Sequence, residues 1–94
     1  MAGPLTVDVV GPDQVLWSGT AERLIAPTVE GEIGLLAGHV PVLSVLRPGT
    51  VRVRAGADGD AEFAIEGGFV SCDHDVITVV VEPQEVATGE QSQY

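Results

Sequence analysis

Cys72 and His74 are the nearest thing in the chain to a nucleophile beside a base. Nucleophile and base normally meet through the fold, so two residues of separation along one strand end say little about a reaction. Packing as a small hydrophobe is the default for such a cysteine. Ser44 and Ser71 lack the Gly-x-Ser-x-Gly elbow that exposes a serine nucleophile. His39 and His74 stand far apart in sequence, and neither has a His or Cys partner at zinc-ligand spacing. Asp73-His74-Asp75 could touch a cation, but a solvated turn explains it better. Glu62 and Glu66 fall on the solvent phase of their strand, which does not suit a catalytic carboxylate pair. No nucleophile, base and orienting group can be assembled, so no catalytic residue, metal site or cofactor is assigned.

The densest signal is Glu30-Gly31-Glu32-Ile33-Gly34-Leu35-Leu36-Ala37-Gly38-His39-Val40-Pro41. Glycines at 31, 34 and 38 permit tight turns and unusual φ. No Gly-Lys-Ser/Thr follows, and the flanking carboxylates would repel a nucleotide, so this is not a phosphate loop. Two readings stand side by side. One is a shaped connector between strands. The other is a surface loop that presents Glu30 and Glu32 to a basic partner.

The elements that must position these residues read as strands. Valine dominates the apolar set, with 16 valines against 4 isoleucines and 2 phenylalanines. Branching at Cβ fits a pleated surface better than a helix. Leu5, Val7 and Val9 alternate with Thr6, Asp8 and Val10. Val51 and Val53 alternate with Arg52 and Arg54, and Phe63 and Ile65 with Glu62, Ala64 and Glu66. A period of two places each set on one face. Gly11-Pro12-Asp13, Arg47-Pro48-Gly49, the run at 56–60 and Asp73-His74-Asp75 supply the turns. Pro27 is expected to end a strand at 21–26, and Gly67-Gly68 to interrupt the sheet as a bulge or a close backbone approach. No helical stripe and no internal repeat is found. The strands at 42–46 and 76–81 are apolar on both faces, which suits either central strands under loops or an outer face docked on a partner. Residues 1–83 read as one domain and the polar stretch 84–94 as a frayed tail.

Composition narrows the classes further. Fourteen acidic residues against four arginines and no lysine give a formal net charge of −10. That charge excludes the basic footprint of a nucleic-acid binder and disfavours an anionic lipid surface. The chain is 45% hydrophobic, too apolar for an acidic disordered segment. A domain of this length buries roughly 60–65% of its unfolded surface, enough for a modest core without disulfides. A single cysteine is compatible with a reducing compartment. The N-terminus lacks a signal-peptide pattern, and no apolar run approaches the ~20 residues of a membrane span.

With those residues in view, the chain resembles the epsilon subunit of F-type ATP synthases. The opening Leu-Thr-Val-Asp-Val-Val-Gly-Pro-Asp-Gln-Val-Leu-Trp-Ser-Gly at 5–19 is similar to that family's start. Residues 30–41 match its Glu-Gly-Glu-hydrophobic-Gly-x-x-x-Gly-His-x-Pro stretch, and Arg47-Pro48-Gly49 and Gly67-Gly68-Phe69 match its later turns. The resemblance covers about residues 4–83.

The resemblance implies an all-β fold, a flattened ten-stranded β-sandwich with a short polar C-terminal tail. It implies a non-catalytic rotor subunit at the foot of the central stalk. Such a subunit clamps the gamma subunit, rests on the polar loops of the c ring and helps couple proton transport to ATP synthesis or hydrolysis. The ring-facing residues would be Glu30, Gly31 and Glu32, and the gamma-facing ones His39, Val42 and Ser44. The location would be peripheral, on the cytoplasmic face of the cell membrane, without lipid insertion. Most of the family continues into a C-terminal helical hairpin, and this sequence stops at Tyr94. A helical brake and nucleotide binding are therefore not expected. The competing class is a free-standing β-sandwich that binds a ligand or sugar, for which Trp17, Phe63, Phe69 and Tyr94 are a poor aromatic supply.

Overall fold

The computed structural model describes residues 4–38, 40–56 and 59–84. Eight strands follow one another: β1 (Leu5–Val10), β2 (Val15–Ala21), β3 (Arg23–Thr28), β4 (Gly31–Leu36), β5 (Val42–Leu46), β6 (Gly49–Arg54), β7 (Ala61–Asp73) and β8 (Val76–Pro83). No α-helix occurs among the described residues. The all-β class expected from the valine-rich alternation stands, with eight strands there rather than the ten that the resemblance implied.

All eight strands share one hydrogen-bonded network, in the order β2-β1-β8-β7-β5-β3-β4, with β6 joining β3 and β7. The network doubles back through the long strand β7. Its first half pairs β6 (Val51↔Phe63), and its second half pairs β5 (Val45↔Phe69). One body of the sandwich is thus β2, β1, β8, the second half of β7, and β5. The other is β4, β3, β6 and the first half of β7. β3 also meets β5 at Thr28↔Leu46, so the two bodies are joined at a second point.

The fold-back is possible because of Gly67-Gly68. The pairing of β7 with β8 shifts register between Ile65 and Gly67, which marks a bulge. Gly68 sits at φ 133°, and a Cβ there would lie 1.9 Å from the carbonyl oxygen of Val80. Both expectations for this pair hold together: it is a bulge and a close backbone approach. The strand is bent, however, and not interrupted.

Two further expectations are corrected. Pro27 does not end its strand, because β3 runs on to Thr28. Its nitrogen and carbonyl both face away from β4, so the β3–β4 ladder loses no bond, and the carbonyl accepts from Arg47 N at 3.0 Å. The glycine-rich stretch after Glu30 is not a loop throughout. Residues 31–36 form β4, an outermost strand paired along its whole length to β3. Glycine lowers strand propensity, and the ladder to β3 overrides it.

The core is one cluster drawn from both bodies. It contains Leu5, Val7 and Val9 of β1, Leu24 and Ala26 of β3, Leu35 of β4, Val51 and Val53 of β6, Ile65, Val70 and Cys72 of β7, and Ile77, Val79 and Val81 of β8. On β1, β6 and β8 these alternate with exposed or half-buried residues, as a period of two requires.

Candidate functional site

The acidic residues Glu30 and Glu32 flank the tip of the β3–β4 hairpin and are both exposed. Thr28 and Gly31 close the strands on either side of Val29 and Glu30. The buried Thr28 hydroxyl donates to the Gly31 carbonyl at 2.6 Å and accepts from the Glu30 N–H at 3.2 Å. Gly31 takes up the chain reversal at φ 126°, a region that side chains avoid. The hairpin is bonded to its neighbour: Val29 N donates to Val45 O at 3.0 Å, beside the Arg47–Pro27 bond.

β5 therefore connects the acidic tip to an apolar surface. Val10, Val80, Phe69 and Val45 lie in register on β1, β8, β7 and β5 and share the outer face, since cross-strand partners point the same way. Leu43 continues the surface one pair further along β5. Leu43 is 75% exposed, Val45 57% and Phe69 44%, and Val29 beside the tip is 61% exposed. Leu43, Ser44, Val45 and Phe69 line a shallow, almost wholly apolar depression of about 410 Å³. Contiguous exposed apolar area is a feature that contact surfaces share.

Of the residues expected to face a gamma subunit, Val42 is half-buried against the core and Ser44 is half-buried. The exposed residues of β5 are the alternate ones, Leu43 and Val45. His39 lies outside the described residues. Its neighbour Gly38 donates its N–H to the Asp75 carboxylate at 2.7 Å, which ties the β4–β5 connection to the β7–β8 turn. The tail at 85–94 also lies outside the described residues. Leu43 and Val45 were implicit in the apolar strand, whereas the parts of Phe69, Val80 and Val10 depend on pairings between distant segments. Thr28 carried a local signal that went unread: a threonine two residues before a Glu-Gly corner suits a side-chain-closed turn.

On the opposite body one group of charges is paired. On the outer face of β6 and β7, Arg52 meets Glu62 at 3.6 Å, and Arg54 meets Asp60 at 3.4 Å and Glu62 at 3.8 Å. The Asp60 carboxyl is held below its ordinary range, chiefly by the Gly56 N–H, which outweighs an opposing desolvation with the help of the Ala55 N–H and Arg54. Arg23, Ile25, Glu32, Gly34 and Leu36 line a second depression of about 290 Å³ on β3 and β4.

The reactive candidates do not converge. Cys72 is buried in the core, and its thiol is pushed up by that burial first, then by the charges of Asp75 and Asp73. That is the wrong direction for a nucleophile, which works as thiolate. His74 is highly exposed in the β7–β8 turn, with Nδ1 at 2.8 Å from Asp73. Among the described residues, no three His, Cys, Asp or Glu side chains gather closely enough to hold a metal ion.

A family model described as "ATP synthase, Delta/Epsilon chain, beta-sandwich domain" matches residues 4–87. The ATP synthase epsilon chain of Frankia casuarinae is 41% identical over 80 residues, covering 84% of this chain and 93% of that one. The epsilon chain of Thermobifida fusca is 44% identical over 86 residues, covering 88% of this chain and 63% of that one. The Brevibacillus brevis epsilon chain is 37% identical, and this chain spans 62% of it. Among solved structures, a chain of the Euglena gracilis mitochondrial ATP synthase (OSCP/F1/c-ring) has a TM-score of 0.76 at 24% identity, covering 83% of this chain and 50% of that one. A chain of the Tetrahymena thermophila central stalk/c-ring has a TM-score of 0.73 at 20% identity, covering 86% and 65%. Those structural likenesses speak for the fold. The family match spans most of the sequence and takes in the acidic hairpin, β5 and the Gly67-Gly68 bend, so the chain belongs to the ATP synthase delta/epsilon chain family, through its β-sandwich domain.

Proposed function

We propose that the chain is a non-catalytic rotor subunit of an F-type ATP synthase. It sits on the cytoplasmic face of the membrane, between the gamma subunit and the c ring, and helps couple proton transport to ATP synthesis or hydrolysis. The observation that carries this reading is the join between two unlike surfaces. An apolar face across β1, β8, β7 and β5 suits burial on gamma, and an acidic tip bonded to β5 suits the polar loops of the ring. A body that transmits torque needs both contacts on one stiff frame.

Affinity for gamma would come from Leu43, Val45 and Phe69, at roughly 25 cal/mol per Å² before association costs are subtracted. Glu30 and Glu32 would set orientation on the ring more than binding strength. The test uses ATP synthase depleted of its own epsilon subunit and reconstituted with this chain. Replacing Leu43 and Val45 with aspartate is expected to weaken binding by about 10-fold or more, since anchors at interface centres carry ≥ 2 kcal/mol. Replacing Glu30 and Glu32 with lysine is expected to lower proton pumping per ATP hydrolysed while the subunit still binds. Full binding by the aspartate variant, with its fold intact, overturns the gamma contact; unchanged pumping in the lysine variant removes the ring contact.

A further inference from the structure

Two-residue hairpin loops are most stable when both loop residues take positive φ. The β7–β8 hairpin does this, with His74 at φ 52° and Asp75 at φ 63°. The β3–β4 tip does not: the reversal falls on Gly31 at φ 126°, and Val29 and Glu30 stay outside the left-handed region. The tip carrying the two glutamates is held to β3 and β5 by backbone bonds, and one side chain closes the corner itself. Thr28 is 2% exposed and is the one buried polar residue among those described. Its hydroxyl spans the corner, bonding Glu30 N on one side and Gly31 O on the other. The Thr28 backbone stands where β3 meets β5, between Pro27 and Val29, whose bonds to Arg47 and Val45 fasten the hairpin to the apolar face.

We propose that Thr28 is the positioning residue of the acidic tip: its buried hydroxyl fixes Glu30 and Glu32 relative to β5, so that ring contact and gamma contact are held in one register. This rests on the reading of Glu30 and Glu32 as ring-facing residues. Thr28 itself touches no partner. Gly31 itself has open space beside it, since no atom lies within 4 Å of a Cβ built there.

The experiment compares T28V, T28S, the double variant E30Q/E32Q and the triple variant T28V/E30Q/E32Q in ATP synthase reconstituted with each. Valine keeps the branched shape and strand preference of threonine but loses the hydroxyl, and serine keeps the hydroxyl. Proton pumping per ATP hydrolysed is measured beside the melting temperature of the free subunit. T28V is expected to lower pumping threefold to tenfold, the range that one lost hydrogen bond spans. T28S should restore it to within about twofold. T28V should also add nothing to E30Q/E32Q, because the residue acts only through those carboxylates. If E30Q/E32Q lowers pumping and T28V does not, the role of Thr28 falls while the ring contact stands. If T28V adds its full loss to E30Q/E32Q, or if the T28V loss merely tracks a lowered melting temperature that T28S shares, the hydroxyl is structural only and the proposal fails. If E30Q/E32Q itself leaves pumping unchanged, the ring contact falls and the positioning role with it.

Discussion

Two glycines and two titratable groups show how single residues set limits here. Gly68 approaches the Val80 carbonyl so closely that even a methyl group has no place, and its φ of 133° is hostile to side chains as well. Gly68→Ala is expected to destabilise the fold by about 3 kcal/mol or more, combining backbone strain with overpacking. Urea denaturation would show it as a lowered midpoint. Gly31→Ala offers the contrast, because only φ opposes it; about 1–2 kcal/mol is expected by the same measurement. Asp60 links the fold to acid. Its carboxyl is stabilised in the charged form by backbone N–H groups and Arg54, so the folded state binds its proton less readily than the unfolded chain. The contribution is present above the ordinary carboxylate value of 3.8 and is lost as pH falls below it. Asp60→Asn should flatten the loss of stability in that acid window, read from melting temperatures across pH 2–6. Cys72 works at the other end of the scale. Its thiol is raised by burial, so the unfolded chain ionises first and stability declines as pH climbs past the ordinary thiol value of 9.0. Cys72→Ala should remove that decline at the cost of a small cavity.

At the scale of the element, much was legible in the sequence. The alternation of Leu5, Val7 and Val9, and of Val51 and Val53, named the buried face of β1 and β6 correctly, because period two is a local property. The turn residues at 47–49 and 73–75 also punctuated the chain where the strands end. What failed locally was decided by pairing. β4 carries glycines at 31 and 34, which speak against a strand, yet it is held by six consecutive partners on β3. Pro27 reads as a breaker, but its bare nitrogen faces away from β4 and leaves that ladder intact, while its carbonyl bonds Arg47. The acidic tip was visible as a motif. The apolar face was visible only in part, because the alignment of Val10, Val80, Phe69 and Val45 depends on registers between segments far apart in the chain. A test belongs to this scale too. Phe69→Ser opens the middle of that row on its solvent side, so the melting temperature should move little. Binding to gamma should fall by about 10-fold, as for a central interface anchor.

For the molecule as a whole, charge is distributed unevenly around a net −10. Three of the four arginines stand on β3 and β6, where Arg52 and Arg54 are partnered by Glu62 and Asp60. Glu30 and Glu32 at the β3–β4 tip add to the surplus of negative charge. A long-range attraction to a basic partner should show in the association rate, which is expected to fall between 50 and 500 mM salt as the screening length shortens from ~14 to ~4 Å. The dissociation rate, set by apolar burial, should change far less, and surface plasmon resonance would separate the two.

The parallel pairing of β1 with β8 has a consequence for how this polypeptide is made. The segment at 5–10 finds its inner neighbour only once the distant segment at 76–83 has left the ribosome. Until then the β1–β2 hairpin has one flank bare, and two-stranded ribbons are barely stable alone in water. The nascent chain must therefore stay soluble and unfinished while the residues between the two segments are made, and a dense negative charge is a simple way for it to do so.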